Sequence, residues 1–433
     1  MEKIKIIGAG LAGVECALYL ANHQIPVTLC EMKPHKKTPA HTDDNFAELV
    51  CSNSLKSDDV YGNACGLLKE EMRILGSQFV SVADKTRVGA GGALAVNRRL
   101  FSKYLTDMVK ENPLIEIQTG EVTKINENEI TVIATGPLTS EKLSDEIKGL
   151  VGGQMSFFDA SAPIVTKESI DMDHAFFGDR YGKGNGDHIN CPMNKEEYQL
   201  LVKELVSAKK ATLHEFENTA VFEGCMPVEI MASRGEDTLR FGPLKPVGLD
   251  DPKTGRWPYA CLQLRKEDLS GSMYNLVGFQ TNLTWGEQKR VFSIIPALKN
   301  AEYLRYGVMH RNSFINSPEN LNEDYSLKSN GNVYFAGQIT GVEGYVESAC
   351  SGLAVGVHLY RRVKNLPPVK FPPETVMGSL SRYVTTKNQD FQPMNANFGI
   401  LPAPNRIIKD KKERKRVIAE TALIKMTIFS KEI

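Results

Sequence analysis

The sequence has no CxxC pair: its eight cysteines stand at 16, 30, 51, 65, 191, 225, 261 and 350. In a reducing compartment such scattered thiols argue against a disulfide framework, and the missing CxxC spacing argues against a zinc cluster. Net charge is absent too, with 52 Lys and Arg against 52 Asp and Glu. No global positive field draws the chain to a polyanion, so any nucleic-acid contact must rest on a local patch. A long apolar run is also missing. The stretch IKIIGAGLAGVECALYL is broken by Lys5, Glu15 and its glycines, unlike a signal h-region or a membrane span of ~20 residues. A cytoplasmic protein without membrane contact is expected. No internal repeat or low-complexity tract occurs. The 433 residues, 42% hydrophobic and 24% charged, suffice for two folded domains, since one core stops growing near ~250 to 300 residues.

What is present begins with a βαβ pattern. Lys3 to Ile7 predicts a strand, GAGLAG (Gly8, Ala9, Gly10, Leu11, Ala12, Gly13) follows, and Leu11, Val14, Leu18 and Ala21 recur at helical spacing. PVTLC predicts a second strand that ends at Glu31, 18 residues past Gly13. Strand, glycines, helix, strand and acid in this order form a dinucleotide fingerprint. Gly8 permits the tight turn, Gly10 lets backbone approach a pyrophosphate, Gly13 packs helix on strand, and Glu31 can accept from ribose hydroxyls. The phosphates then face the positive end of a helix.

Two later segments narrow the dinucleotide. EITVIATGPL (129–138) predicts a buried strand running into a turn. GNVYFAGQITGVEGYVESACSGLAVG (331–356) predicts a strand, a glycine turn at Gly337 and a small-residue helix. The layout resembles FAD-binding proteins of the glutathione-reductase type, whose last helix points its N-terminus at the flavin. Gln338 stands where those proteins usually carry Asp. VGAGGALAVNR (88–98) lacks a preceding Val/Ile strand and is no second fingerprint. Its glycines fit a plain loop as well as a backbone approach to flavin or substrate. No dedicated NAD domain is visible.

From 146 to 304 the βαβ signals stop. KEEYQLLVKELVSA (195–208) predicts an amphipathic helix and CLQLR (261–265) a short strand. The expected fold class is α/β: a glutathione-reductase-type FAD-binding Rossmann domain (1–145 and 305–433) with an inserted α+β domain (146–304). The tail RIIKDKKERKR (406–416) sets seven basic residues against two acidic, a solvated face or a phosphate contact.

At GAGLAGVECALYL, EMKPHKKTPAHTDDNFAELVCSNSLKSD, GGALAVNR, FEGCMPVE, FGPLKPVGL, YGVMHRNSFINSP, GVEGYVESACSGLAVG and FQPMNANFG, the chain resembles the folate- and FAD-dependent tRNA (uracil-5-)-methyltransferase family, TrmFO. The likeness runs from residue 4 to about residue 415. It implies 5-methyluridine formation in the T-loop of tRNA, with 5,10-methylenetetrahydrofolate giving the carbon and NAD(P)H-reduced FAD the electrons. A related group methylates ribosomal RNA instead, and a plain FAD oxidoreductase is the more distant alternative. The resemblance places FAD on Gly8 to Gly13, Glu31 and Gly337, with Tyr345 near the ring, and the family's two cysteines on Cys51 and Cys225.

That chemistry needs two such groups. Uracil C5 is a weak nucleophile until a thiolate adds at C6, and after carbon transfer the C5 proton must leave to a base. The family assigns Cys225 as nucleophile and Cys51 as base. The residues alone leave the order open: Lys56 near Cys51 favours one thiolate, and Glu223 near Cys225 disfavours the other, if each points inward. The remaining cysteines fit small buried hydrophobes. His41, His310, Arg311 and Asn395 are polar residues that could face flavin, folate or phosphate. Everything requires Cys51 and Cys225 to converge beside one flavin.

Overall fold

The computed structural model describes residues 3–38, 40–153, 155–211, 226–388 and 391–433. The apolar runs IKII, VTLCE, TVI and VYF become almost fully buried strands, as expected of a parallel sheet covered on both faces. Ile4–Ile7 (β1) lies at the centre. Val333–Phe335 and Thr131–Ile133 stand on one side, Val27–Glu31 (β2) and Ile115–Thr119 on the other, all parallel. Between β1 and β2 runs helix Leu11–Asn22 (α1).

Against α1 packs helix Tyr345–Val363, and two glycines allow it. A Cβ on Gly352 would stand 2.2 Å from the Ala12 carbonyl oxygen, and one on Gly356 3.0 Å from the Tyr19 ring. A smaller sheet, Ser54–Ser57, Ala93–Val96 and Arg87–Val88, flanks this unit. Helix Glu141–Val151, which straddles residue 145, gives Leu143, Ile147 and Val151 to the first core.

A second core lies between Val165 and Ala301. Its six-stranded antiparallel sheet runs in the order Phe176–Phe177, Ile189–Met193, Ala260–Lys266, Met273–Leu276, Ile164–Thr166, Tyr303–Arg305. Helix Lys195–Ser207 starts in a capping box between Asn194 and Glu197 and buries Tyr198, Leu201 and Leu205. The chain leaves the first unit along Met155–Ala160 and returns along Met309–Phe314, and these two strands pair antiparallel. The basic tail forms helix Lys411–Phe429, which buries Ala419, Ala422, Met426 and Phe429 and leaves Lys411, Lys412 and Arg414 exposed. Among the described residues no helix is long and apolar enough to cross a membrane.

Candidate active site

Two adjoining hollows open at the carboxyl end of the parallel sheet. The first is built by the glycine loop. Gly8 has φ +104°, and a Cβ there would stand 2.6 Å from the Ala134 oxygen; at Gly13 it would stand 1.9 Å from the Gly8 oxygen. Gly10 differs: its nearest neighbour would be 4.0 Å away, so the space beside it is open to a ligand. Glu31 braces the loop, one carboxylate oxygen accepting from the Ala9 amide and the other from the Lys33 amide, both at 2.9 Å. Each oxygen keeps a free lone pair, and Glu31 lines the hollow. Leu11 opens α1 just past Gly10, and the first amides of that helix have no partner within it. Gly337, at φ +84°, donates its amide to Ser351 Oγ at 2.7 Å, and a Cβ there would come within 3.0 Å of Ala12. Open backbone at Gly10, a helix start and a braced carboxylate suit a dinucleotide such as FAD. His41 lines this hollow, and burial pushes its pKa down.

The second hollow, about 260 Å³, lies between the Cys51 loop and the start of helix Tyr345–Val363. Cys51 is half-buried, its thiol 3.8 Å from the Ala160 carbonyl oxygen. Tyr345 Oη accepts from the Cys51 amide at 2.6 Å and the Ser52 amide at 3.1 Å. Burial, then the Cys51 charge, pushes the Tyr345 phenol up, so it stays a neutral hydroxyl in this role. Three guanidiniums hold the same loop. Arg98 donates to the Leu49 oxygen at 2.9 Å and pairs with both Glu267 oxygens. Arg265 donates to Ser52 Oγ at 2.7 Å and Asn53 Oδ1 at 3.0 Å. Arg305 donates to the Val50 oxygen at 2.6 Å. Burial alone would push all three down; beside Glu267, Arg98 is held up, whereas Arg265 and Arg305 stay lowered.

Across the hollow, Lys56, at φ +62°, pairs with the buried Glu347 at 2.9 Å. Burial lowers the Lys56 ammonium, and the Glu347 carboxylate more than reverses it. Glu347 Oε1 also accepts from the Ala396 amide, while Oε2 is buried with no hydrogen-bond partner. A Cβ on Gly344 would fall 2.2 Å from that oxygen. Behind the loop, the buried Lys69 donates to the Leu55 and Ser57 oxygens at 2.8 and 2.7 Å.

The structure thus brings Cys51, Tyr345 and Asn395 to one hollow, and Gly8, Gly10, Glu31 and His41 to the other. Cys225 and Glu223 lie outside the described residues, as do the side chains of His310 and Arg311. Lys56 points at Glu347, so the positive charge around the Cys51 loop comes from the arginines. The glycines of VGAGGALAVNR line neither hollow. A Cβ on Gly89 would stand 2.2 Å from Asp187 Oδ1, and the Gly91 amide donates to Asp187 Oδ2 at 3.2 Å, so this loop packs on the second unit. Cys16, Cys30, Cys65, Cys191, Cys261 and Cys350 are buried, with thiols pushed up by burial. Sequence reasoning missed Glu347, Lys69 and the three arginines. The available signal was a guanidinium inside an apolar strand, as in CLQLR.

A family model described as glucose inhibited division protein A matches residues 3–367. The methylenetetrahydrofolate–tRNA-(uracil-5-)-methyltransferase TrmFO of Listeria innocua is 56% identical over 98% of each chain. The Enterococcus faecalis protein of that name is 55% identical over 98% of this chain and 97% of its own. Among solved structures, Aquifex aeolicus GidA in its form I crystal superposes with TM-score 0.73 at 16% identity, over 100% of this chain and 76% of that one. Its form II crystal gives 0.72, over 99% and 73%. At that identity the likeness concerns the fold.

Proposed function

The chain belongs to the methylenetetrahydrofolate–tRNA-(uracil-5-)-methyltransferase family, within the wider glucose inhibited division protein A family, and on that premise we propose that its two hollows join into one active site for 5-methyluridine formation in the T-loop of tRNA. It is a folate-dependent tRNA (uracil-5-)-methyltransferase and a flavoprotein. The observation that carries the site assignment is the setting of Cys51: a half-buried thiol on a loop pinned by Tyr345 and three arginines, facing the hollow that adjoins the dinucleotide fingerprint.

Gly8 to Gly13, Glu31 and Gly337 would hold FAD, and Tyr345 would stand near its ring. Bound FAD, reduced by NAD(P)H, supplies the hydride that completes the methyl group. The chain's own thiols do the rest. Cys225 adds to uracil C6, which makes C5 nucleophilic toward the one-carbon unit of methylenetetrahydrofolate. Cys51 then takes the C5 proton while the tetrahydrofolate amine leaves the new one-carbon unit, and Cys225 departs from C6 as the hydride reaches that carbon, which restores the uracil ring. Tyr345 and the arginines fix the Cys51 backbone so that its sulfur meets C5. With tRNA as substrate, a cytoplasmic reaction is the reading that fits.

The test is incubation with labelled methylenetetrahydrofolate, NADPH and unmodified tRNA or ribosomal RNA, followed by mapping of the label. Label at a T-loop uridine, lost in Cys51→Ala and Cys225→Ala proteins that retain FAD, is expected. Label confined to ribosomal RNA overturns the substrate, and full activity of either variant overturns the assignment of the thiols.

A further inference from the structure

Beside the active site the second unit carries a ladder of three parallel aromatic rings. Tyr303 and Tyr306 stack at 5.0 Å with planes 10° apart, and Tyr306 and Trp285 at 5.3 Å and 11°. The inner end is sealed: the Tyr303 hydroxyl is buried without a hydrogen-bond partner. The outer end is open, because Trp285 is 62% exposed. A large ring left in water at the end of an ordered stack presents a flat face for one more ring.

Its surroundings tie it to the reaction. Tyr306 follows Arg305, whose guanidinium holds the Val50 carbonyl beside Cys51. Trp285 stands five residues past Gln280, which lines the Cys51 hollow. Ala211 and Val228 donate their amides to Asn282 and Gln280, so the chain on either side of the Cys225 stretch is pinned next to the ladder. Exposed lysines flank the Trp: the Thr284 amide bonds to the Lys209 oxygen and Lys210 bridges to Leu283. The nearby acid, Glu287, is paired with Arg290 and also accepts from the Lys209 amide and attracts its ammonium.

We propose that the Trp285 ring, backed by Tyr306 and Tyr303, stacks on a nucleobase of the substrate RNA next to the target uridine, while Lys209 and Lys210 take adjacent phosphates. The inference rests on the reading of the chain as a tRNA methyltransferase and names a surface that serves it. A uracil whose C5 and C6 must be reached from both faces has to leave its loop stack. The base left behind loses a stacking partner, and an aromatic face with nearby cations replaces it for any base. Recognition here is by stacking and charge, with no demand on the neighbour's identity.

The chain has two tryptophans. A Trp257→Phe protein therefore leaves Trp285 as the lone indole reporter, and Trp257 belongs to neither hollow. Titration with an unmethylated T-arm stem-loop RNA should quench that fluorescence, and a duplex RNA without a loop should not. Trp285→Ala should weaken stem-loop binding about tenfold or more and raise KM for tRNA, with NADPH-driven flavin reduction unchanged, while Trp285→Phe should stay near the parent. Absence of quenching, or a Trp285→Ala protein that binds and methylates RNA like the parent, overturns the stacking role and leaves the methyltransferase reading intact. A parent protein that neither binds nor methylates tRNA overturns both.

Discussion

Gly10 and Gly13 share one loop, yet a methyl group at each meets different things. At Gly13 it would sit 1.9 Å from a backbone oxygen, at Gly10 in open space. Gly13→Ala must shift the helix off the strand, at a cost on the order of 1–3 kcal/mol, so purified protein should melt lower and carry no flavin. Gly10→Ala should melt like the parent but lose 450 nm absorbance, since the methyl fills only ligand space. Equal melting points with equal flavin content would refute the distinction. Tyr345→Phe makes a second test. It leaves the Cys51 and Ser52 amides without their acceptor, a loss of roughly 1–3 kcal/mol for each group that stays dry. Methylation turnover should fall at least about tenfold while flavin content holds; unchanged turnover would deny the Tyr hydroxyl its positioning role. The backbone demands on Gly8 and Gly13 were legible because a local spacing dictates them. The bond from Tyr345 to Cys51 was not, because no local rule relates residues 294 positions apart.

Among the elements, α1 does the most with the least polarity. Its one acid, Glu15, is buried on the face toward helix Gln78–Lys85, where it accepts from the Phe79 amide at 2.7 Å. Burial pushes its pKa up from 4.5 to about 7, against the hydrogen bonds from Ser77 and the backbone. The folded state therefore holds a proton that the unfolded chain gives up near pH 4.5. The stability tied to that proton is fully present below pH 4.5 and is lost as pH rises through about 7. The loss is roughly 3 kcal/mol for a shift of this size. Urea midpoints should fall between pH 5 and pH 8 for the parent and stay flatter for Glu15→Gln; parallel curves would show that Glu15 does not set this dependence. The strand and helix of the fingerprint could be read directly from apolar periodicity. That α1 would bury a carboxyl could not, since the partner amide comes from another helix.

At the scale of the whole molecule, the second unit reaches back to shape the first unit's thiol loop. Arg265 and Arg305 come from strands Ala260–Lys266 and Tyr303–Arg305 and hold residues 50 to 53, while Asn53 returns a bond to the Lys266 oxygen at 2.8 Å. The parallel sheet was legible because each of its strands is a contiguous apolar run, whereas the insertion and the role of Cys51 stand as expectations read from the sequence. The sequence did not reveal this clamp, which exists only once two distant strands are folded against one loop. The consequence is electrostatic as well as geometric, for guanidiniums beside a thiol favour the thiolate that reacts. Arg265→Met keeps the bulk and removes charge and donors together. It should slow alkylation of Cys51 by iodoacetamide, read by peptide mass at position 51 alone, and depress methylation in parallel. The buried Cys191 and Cys261 of the same unit should remain unmodified, showing that its core is intact. An alkylation rate at Cys51 equal to the parent's would mean that the arginine merely joins the two units, and that the thiol owes nothing to it.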